Sequence, residues 1–121
     1  MRCFLFLFGI ALTNLIAAAT ADTLSPNLTA GQSILLVDQT LTASGWQPAP
    51  EHQAMPFEYA LAGNTLSSLA SCSGTGAGFC RYDYQLNDQK LVVVTIPASR
   101  RDRAGRVYRW WMELLPVSPS H

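Results

Sequence analysis

Residues 80–96 read Cys-Arg-Tyr-Asp-Tyr-Gln-Leu-Asn-Asp-Gln-Lys-Leu-Val-Val-Val-Thr-Ile. Two strand signatures meet here across a polar break. Cys80, Tyr82, Tyr84 and Leu86 alternate with Arg81, Asp83 and Gln85, the period-two pattern of a half-buried strand. Leu91–Ile96 is a continuous apolar run rich in β-branched residues, the composition of a central strand. Asn87-Asp88-Gln89 between them reads as the turn of a hairpin. Downstream, Tyr108, Trp110, Met112 and Leu114 alternate with Val107, Arg109, Trp111 and Glu113, which predicts a third strand. Pro97–Gly105, polar and rich in arginine, connects it to the second.

Upstream the periodicity changes. Ile34, Val37 and Leu41 fall at helical spacing, with Leu35 and Leu36 widening the stripe. Thr29 and Gln32 have capping-box spacing, and Gly45 reads as a left-handed C-terminal cap, with Trp46 placed to fold back onto the helix. This predicts a helix over 30–44. The stretch 47–64, with Pro48, Pro50, Pro56 and Gly63, reads as an irregular connection. Phe57, Tyr59 and Leu61 alternate inside it as a short edge strand would. Residues 65–71 form one or two helical turns carrying Leu66 and Leu69 inward. The expected fold is α+β: one N-terminal helix, with room for a second short one, packed on a three- to four-stranded antiparallel sheet. By alternation, Tyr82, Tyr84, Val92, Val94, Ile96, Trp110 and Met112 lie under the helix.

The N-terminus carries an address. Arg2, an apolar stretch to Ala19 and the Ala19-Thr20-Ala21 exit are the three parts of a secretory signal peptide. Cleavage after Ala21 leaves 22–121 as one small domain with a frayed tail over 116–121. The competing reading is an uncleaved anchor, but the stretch is near the lower limit for about 30 Å of hydrocarbon and is interrupted by Thr13 and Asn14. Cys72 and Cys80 then remain as a pair in an exported chain, and a disulfide is the default. Redox-active pairs sit two residues apart, a spacing this pair does not have.

The chain has 8 Lys and Arg against 8 Asp and Glu, a balance that argues against binding nucleic acid or anionic membrane through bulk charge. No cofactor is expected. The histidines, His52 and His121, stand apart from any metal-ligand spacing, so no metal is expected either. A Ser-His-Asp triad is a spatial arrangement that sequence alone neither supports nor excludes. Gly74-Thr75-Gly76-Ala77-Gly78 precedes a strand rather than a helix, unlike a nucleotide loop, and reads as a tight turn inside the disulfide.

Binding is expected on the sheet face away from the helix, at Arg81, Leu91, Val93, Arg109 and Trp111, because apolar patches rimmed by charge mark interaction surfaces. Arg100, Arg101, Arg103 and Arg106 form a second candidate, an anion-gripping loop. The leading functional expectation is a periplasmic or secreted non-enzymatic binding module, with an envelope or extracellular protein as partner. Its rivals are a structural envelope protein without a discrete ligand and a small hydrolase. The oligomeric state is left open by the sequence.

The segments Gly45-Trp46-Gln47-Pro48, Cys72–Cys80, Leu91–Thr95 and Trp110-Trp111 together resemble a group of small exported bacterial proteins of unknown function. The order of helix, connection, disulfide and antiparallel sheet is similar to one half of the β-lactamase inhibitory protein family. That second resemblance implies a sheet surface that binds a partner protein, and it carries over no contact residue.

Overall fold

A computed structural model of the chain describes residues 26–73, 78–96 and 104–115. The signal-like segment, the glycine run 74–77, the loop 97–103 and the tail from 116 lie outside the described residues. The elements are α1 (Ile34–Ala43), β1 (Gln47–Pro48), α2 (Pro56–Ala62), β2 (Leu69–Cys72), β3 (Cys80–Leu86), β4 (Gln89–Ile96) and β5 (Arg106–Leu114). All strand pairs are antiparallel, in the order β1-β3-β4-β5, with β2 also on β3. The fold is α+β, with two helices and one open sheet.

α1 begins later than capping-box spacing predicts. Ser33 is the N-cap, its side chain accepting from Leu35 N at 3.2 Å. Gln32 does reach back to Thr29 N at 2.8 Å, but this closes a turn ahead of the helix. The C-terminus matches expectation. Gly45 sits at φ 99°, Gly45 N bonds Thr42 O and Trp46 N bonds Leu41 O. These are the two bonds of a Schellman ending, and Trp46 is buried against the core beside Leu41. Ile34, Val37 and Leu41 face inward, whereas Leu35 and Leu36 are about half exposed and do not widen the stripe.

Phe57–Leu61 is helix, not edge strand. Pro56 occupies the first turn, where its missing N–H costs nothing, and Gly63 closes the end in the left-handed region at φ 75°. Glu58 and Ala62, four apart, point inward, while Phe57 and Leu61 face solvent. The Glu58 carboxylate accepts from Met55 N at 2.8 Å and from Cys72 N at 3.0 Å, tying α2 to β2. Residues expected in a helical turn instead supply β2, and Leu69 enters the core from it. The disulfide joins Cys72 and Cys80, which are direct register partners of β2 and β3.

The hairpin turn decides which residues share a face. It has two residues, Asn87 and Asp88, and Leu86 pairs with Gln89. Asn87 adopts φ 56°, a conformation asparagine tolerates. Tyr84 therefore pairs with Leu91 and Tyr82 with Val93. Leu91 and Val93 are fully buried beneath the helices with Tyr82 and Tyr84, not on the opposite face where alternation placed them. Val92, Val94 and Ile96 take the opposite face instead of the helix side. A three-residue turn displaces the register by one, and one residue flips every side chain of β4.

β5 carries a second parity change. The register shifts between Val94 and Thr95: Arg109 pairs with Val94 and Val107 with Thr95, leaving Tyr108 as the extra residue of a bulge. Val107 is buried and Tyr108 exposed, the reverse of simple alternation. The first two residues of β5 are edged by the segment before α1. Gly31 N donates to Val107 O and Val107 N to Gln32 O, both at 2.8 Å, and Ser33 bridges Arg106.

A polar network spans the core. Tyr84 donates to Asp38 Oδ1 at 2.7 Å and accepts from Ser68 Oγ at 2.9 Å. Asn64 donates to the Tyr82 hydroxyl at 2.9 Å and to Ala104 O at 3.2 Å. Burial pushes both tyrosine hydroxyls above the usual phenol value.

Candidate functional site

The sheet face away from the helices carries Arg81, Asp83 and Gln85 from β3, Lys90, Val92, Val94 and Ile96 from β4, and Tyr108, Arg109, Trp111 and Glu113 from β5. Among the described residues, no helix or strand lies over it. Cross-strand pairing sets Asp83 beside Val92 and Val92 beside Trp111. Val92 is fully buried yet lies outside the main core, which means that side chains of this face cover it.

Two linked groups form the surface. At one side, the Asp83 carboxylate lies between Arg81 Nε at 2.8 Å and Lys90 Nζ at 3.3 Å. Asp83 is only 2% exposed, and a buried carboxylate is tolerable because it is paired twice. The hydrogen bond to Asp83 raises the Arg81 guanidinium above its ordinary value. At the other side, the Arg109 guanidinium sits 5.3 Å from the Trp111 ring, and Trp111 Nε1 donates to Glu113 Oε2 at 2.9 Å. Arg109, Trp111 and Glu113 thus contact one another on alternate positions of one strand.

The bulge extends this surface. Tyr108 packs on Phe79 with ring centroids 5.3 Å apart, and both rings are exposed. Phe79, Val94, Tyr108 and Arg109 line a shallow open depression beside Trp111. Besides the residues that the β4 register moves here, Phe79 and Tyr108 are aromatic members that sequence reading misses. Phe79 precedes the alternating segment, and Tyr108 changes face only because of the bulge.

Of the residues expected here, Arg81, Arg109 and Trp111 come together on the face, while Leu91 and Val93 belong to the core. Arg106 lies within β5 rather than in a loop, and its Nη1 donates to Gly31 O at 2.6 Å. Arg100, Arg101 and Arg103 lie outside the described residues.

Ser71, His52 and Asp83 line a hollow of about 160 Å³ with Glu51, Ala70 and Arg81. No hydrogen bond joins His52 to Ser71 or to Asp83, and the Asp83 carboxylate is held by two cations. The hollow therefore does not assemble a nucleophile, base and orienting acid. Among the described residues, no group of His, Cys, Asp and Glu is placed to hold a metal ion, and no helix is long and apolar enough to cross a membrane. Comparison with protein-family models, with curated proteins and with solved structures found no match.

Proposed function

We propose that the protein is an exported binding module that holds a partner protein on the open sheet face centred on Trp111. The carrying observation is an aromatic band of exposed Phe79 and Tyr108 and half-buried Trp111, interleaved with Arg109 and bordered by the Arg81–Asp83–Lys90 group. Aromatic and arginine side chains are the residues that anchor protein interfaces, and charges fixed by neighbours lose little entropy on docking. The signal-like N-terminus and the Cys72–Cys80 disulfide support action in the periplasm or outside the cell. No catalytic step is part of this reading.

The test places a photo-crosslinking amino acid at position 111, and separately at position 35 on the exposed side of α1, in cells that export the protein. A partner captured from 111 but not from 35 is then purified and titrated with the wild type and with Trp111→Ala. Loss of affinity of about tenfold or more is expected on removing a central anchor. Equal binding by both forms sinks the proposal.

A further inference from the structure

The outer edge of β5 is unpaired over part of its length. Leu115 N donates to Asp88 O across the β4 side. By strand alternation, Glu113, Trp111 and Arg109 also turn their backbone groups toward β4. The N–H and C=O groups of Trp110, Met112 and Leu114 therefore point off the sheet. At Val107 the outward groups are taken by Gly31 and Gln32, and no described residue takes those of Trp110–Leu114.

We infer that this edge pairs with the same edge of a second copy, antiparallel and centred on Trp111. The sequence Arg109-Trp110-Trp111-Met112-Glu113 is self-complementary when reversed. A two-fold axis at Trp111 sets Arg109 opposite the partner's Glu113 and Glu113 opposite the partner's Arg109. It also pairs Trp110 with the partner's Met112 and Met112 with the partner's Trp110, the positions whose backbone groups are outward. Four backbone hydrogen bonds close the ladder. The charged pairs fall at non-hydrogen-bonded positions, where side chains of an antiparallel pair approach most closely, with Cα atoms about 4.5 Å apart. Opposite charges facing each other there are favourable, and like charges are not. Sliding the register by two residues either way keeps the backbone parity but places Arg109 and Glu113 opposite apolar or aromatic residues. The same packing puts the Trp110 ring against the Met112 thioether, a favourable sulfur–aromatic contact. The result is one continuous sheet through both copies, an isologous arrangement that closes on itself.

Trp111 belongs to both proposals, but self-association needs no other ligand. The test is sedimentation equilibrium of the disulfide-bonded protein over a concentration series, on the wild type, Glu113→Arg, Arg109→Glu and the double variant Arg109→Glu/Glu113→Arg. The wild type is expected to show a monomer–dimer equilibrium. Each single variant sets like charges opposite and should weaken dimerisation by about tenfold or more. The double variant restores opposite pairs and should recover the wild-type dimer. Circular dichroism melts confirm that each variant is folded. A wild type that stays monomeric at the highest soluble concentration, or a Glu113→Arg protein that dimerises as the wild type does, overturns the inference. So does a folded double variant that stays monomeric. A monomeric protein that still binds its partner through Trp111 leaves the binding-module reading standing and removes this one.

Discussion

Replacing Tyr84 by Phe removes one hydroxyl that does two jobs. It donates to Asp38 on α1 and accepts from Ser68, whose side chain has no exposure to solvent. Asp38 is half-buried, so water can take over the lost donor there. Ser68 Oγ has no such substitute, and a stranded buried polar group costs about 1–3 kcal/mol. Together with about 1 kcal/mol for the bond to Asp38, Tyr84→Phe should destabilise the fold by about 2–4 kcal/mol. In urea this lowers the midpoint by at least about 2 M for a slope near 1 kcal/mol/M, with the slope itself unchanged. Ser68→Ala alone leaves the Tyr84 hydroxyl satisfied by Asp38 and should cost only about 1 kcal/mol. The double variant strands nothing, so its loss should fall short of the sum of the single losses by about 1 kcal/mol. Urea unfolding of all four proteins, followed by tryptophan fluorescence and circular dichroism, closes the cycle. Strict additivity, or a Tyr84→Phe protein as stable as the wild type, would refute the account of a shared buried network.

Three further outcomes follow from the fold. Cys72→Ser/Cys80→Ser opens a covalent loop of nine residues and should cost about 2.5 kcal/mol on chain-entropy grounds, read as a lowered urea midpoint. Tyr82 and Tyr84 have hydroxyl values raised above the unfolded value of about 10, so the folded state holds their protons longer than the unfolded state does. Their contribution is intact below pH of about 10 and falls by up to about 1.4 kcal/mol per pH unit per tyrosine above it. Alkaline titration should then show these phenols ionising together with unfolding; ionisation in a still-folded protein would contradict their burial. Gly105 sits at φ 90°, and a Cβ there would lie 3.2 Å from Ile96 O and 3.3 Å from Thr95 Oγ1. Gly105→Ala should lower the melting temperature by at least 4 °C, on a left-handed penalty of about 1–2 kcal/mol; an unchanged melt would mean the β4–β5 junction relaxes freely.

Much of this architecture was legible in the residues. The Gly45–Trp46 ending of α1, the alternation of β3 and the disulfide pairing follow from local chemistry that operates as it does in isolation. The face of β4 was not legible by pattern, because Leu91–Ile96 is apolar at every position and has no period to read. It was fixed instead by the length of the turn, and one residue more in that turn exchanges core for surface. Tyr108 and Val107 traded places because a bulge is a tertiary event without a strong sequence mark. α2 was signalled by Pro56, Glu58 and Gly63 at start and stop positions, yet the alternation of Phe57, Tyr59 and Leu61 masked it. On the candidate face, β3 and β5 supplied Arg81, Arg109 and Trp111 as their patterns indicated, and the misplacement of Leu91 and Val93 came from register.

The left flank of β3 is divided at Asp83. Asp83 N bonds Ser68 O and Asp83 O receives Ala49 N, so β2 covers the strand before this point and β1 after it. That margin of the sheet thus ends in two pieces, of 2 and 4 residues, with no continuous run of backbone groups. Short, interrupted margins give a newcomer strand too few successive bonds to nucleate. Fibre growth requires a molecule that can accept a strand at both margins, so that each addition leaves a fresh one. Among the described residues, only the five residues Trp110–Leu114 offer a ladder, and a sheet with one open margin can be capped but not propagated. The division at Asp83 thereby limits how far association through strand edges can run.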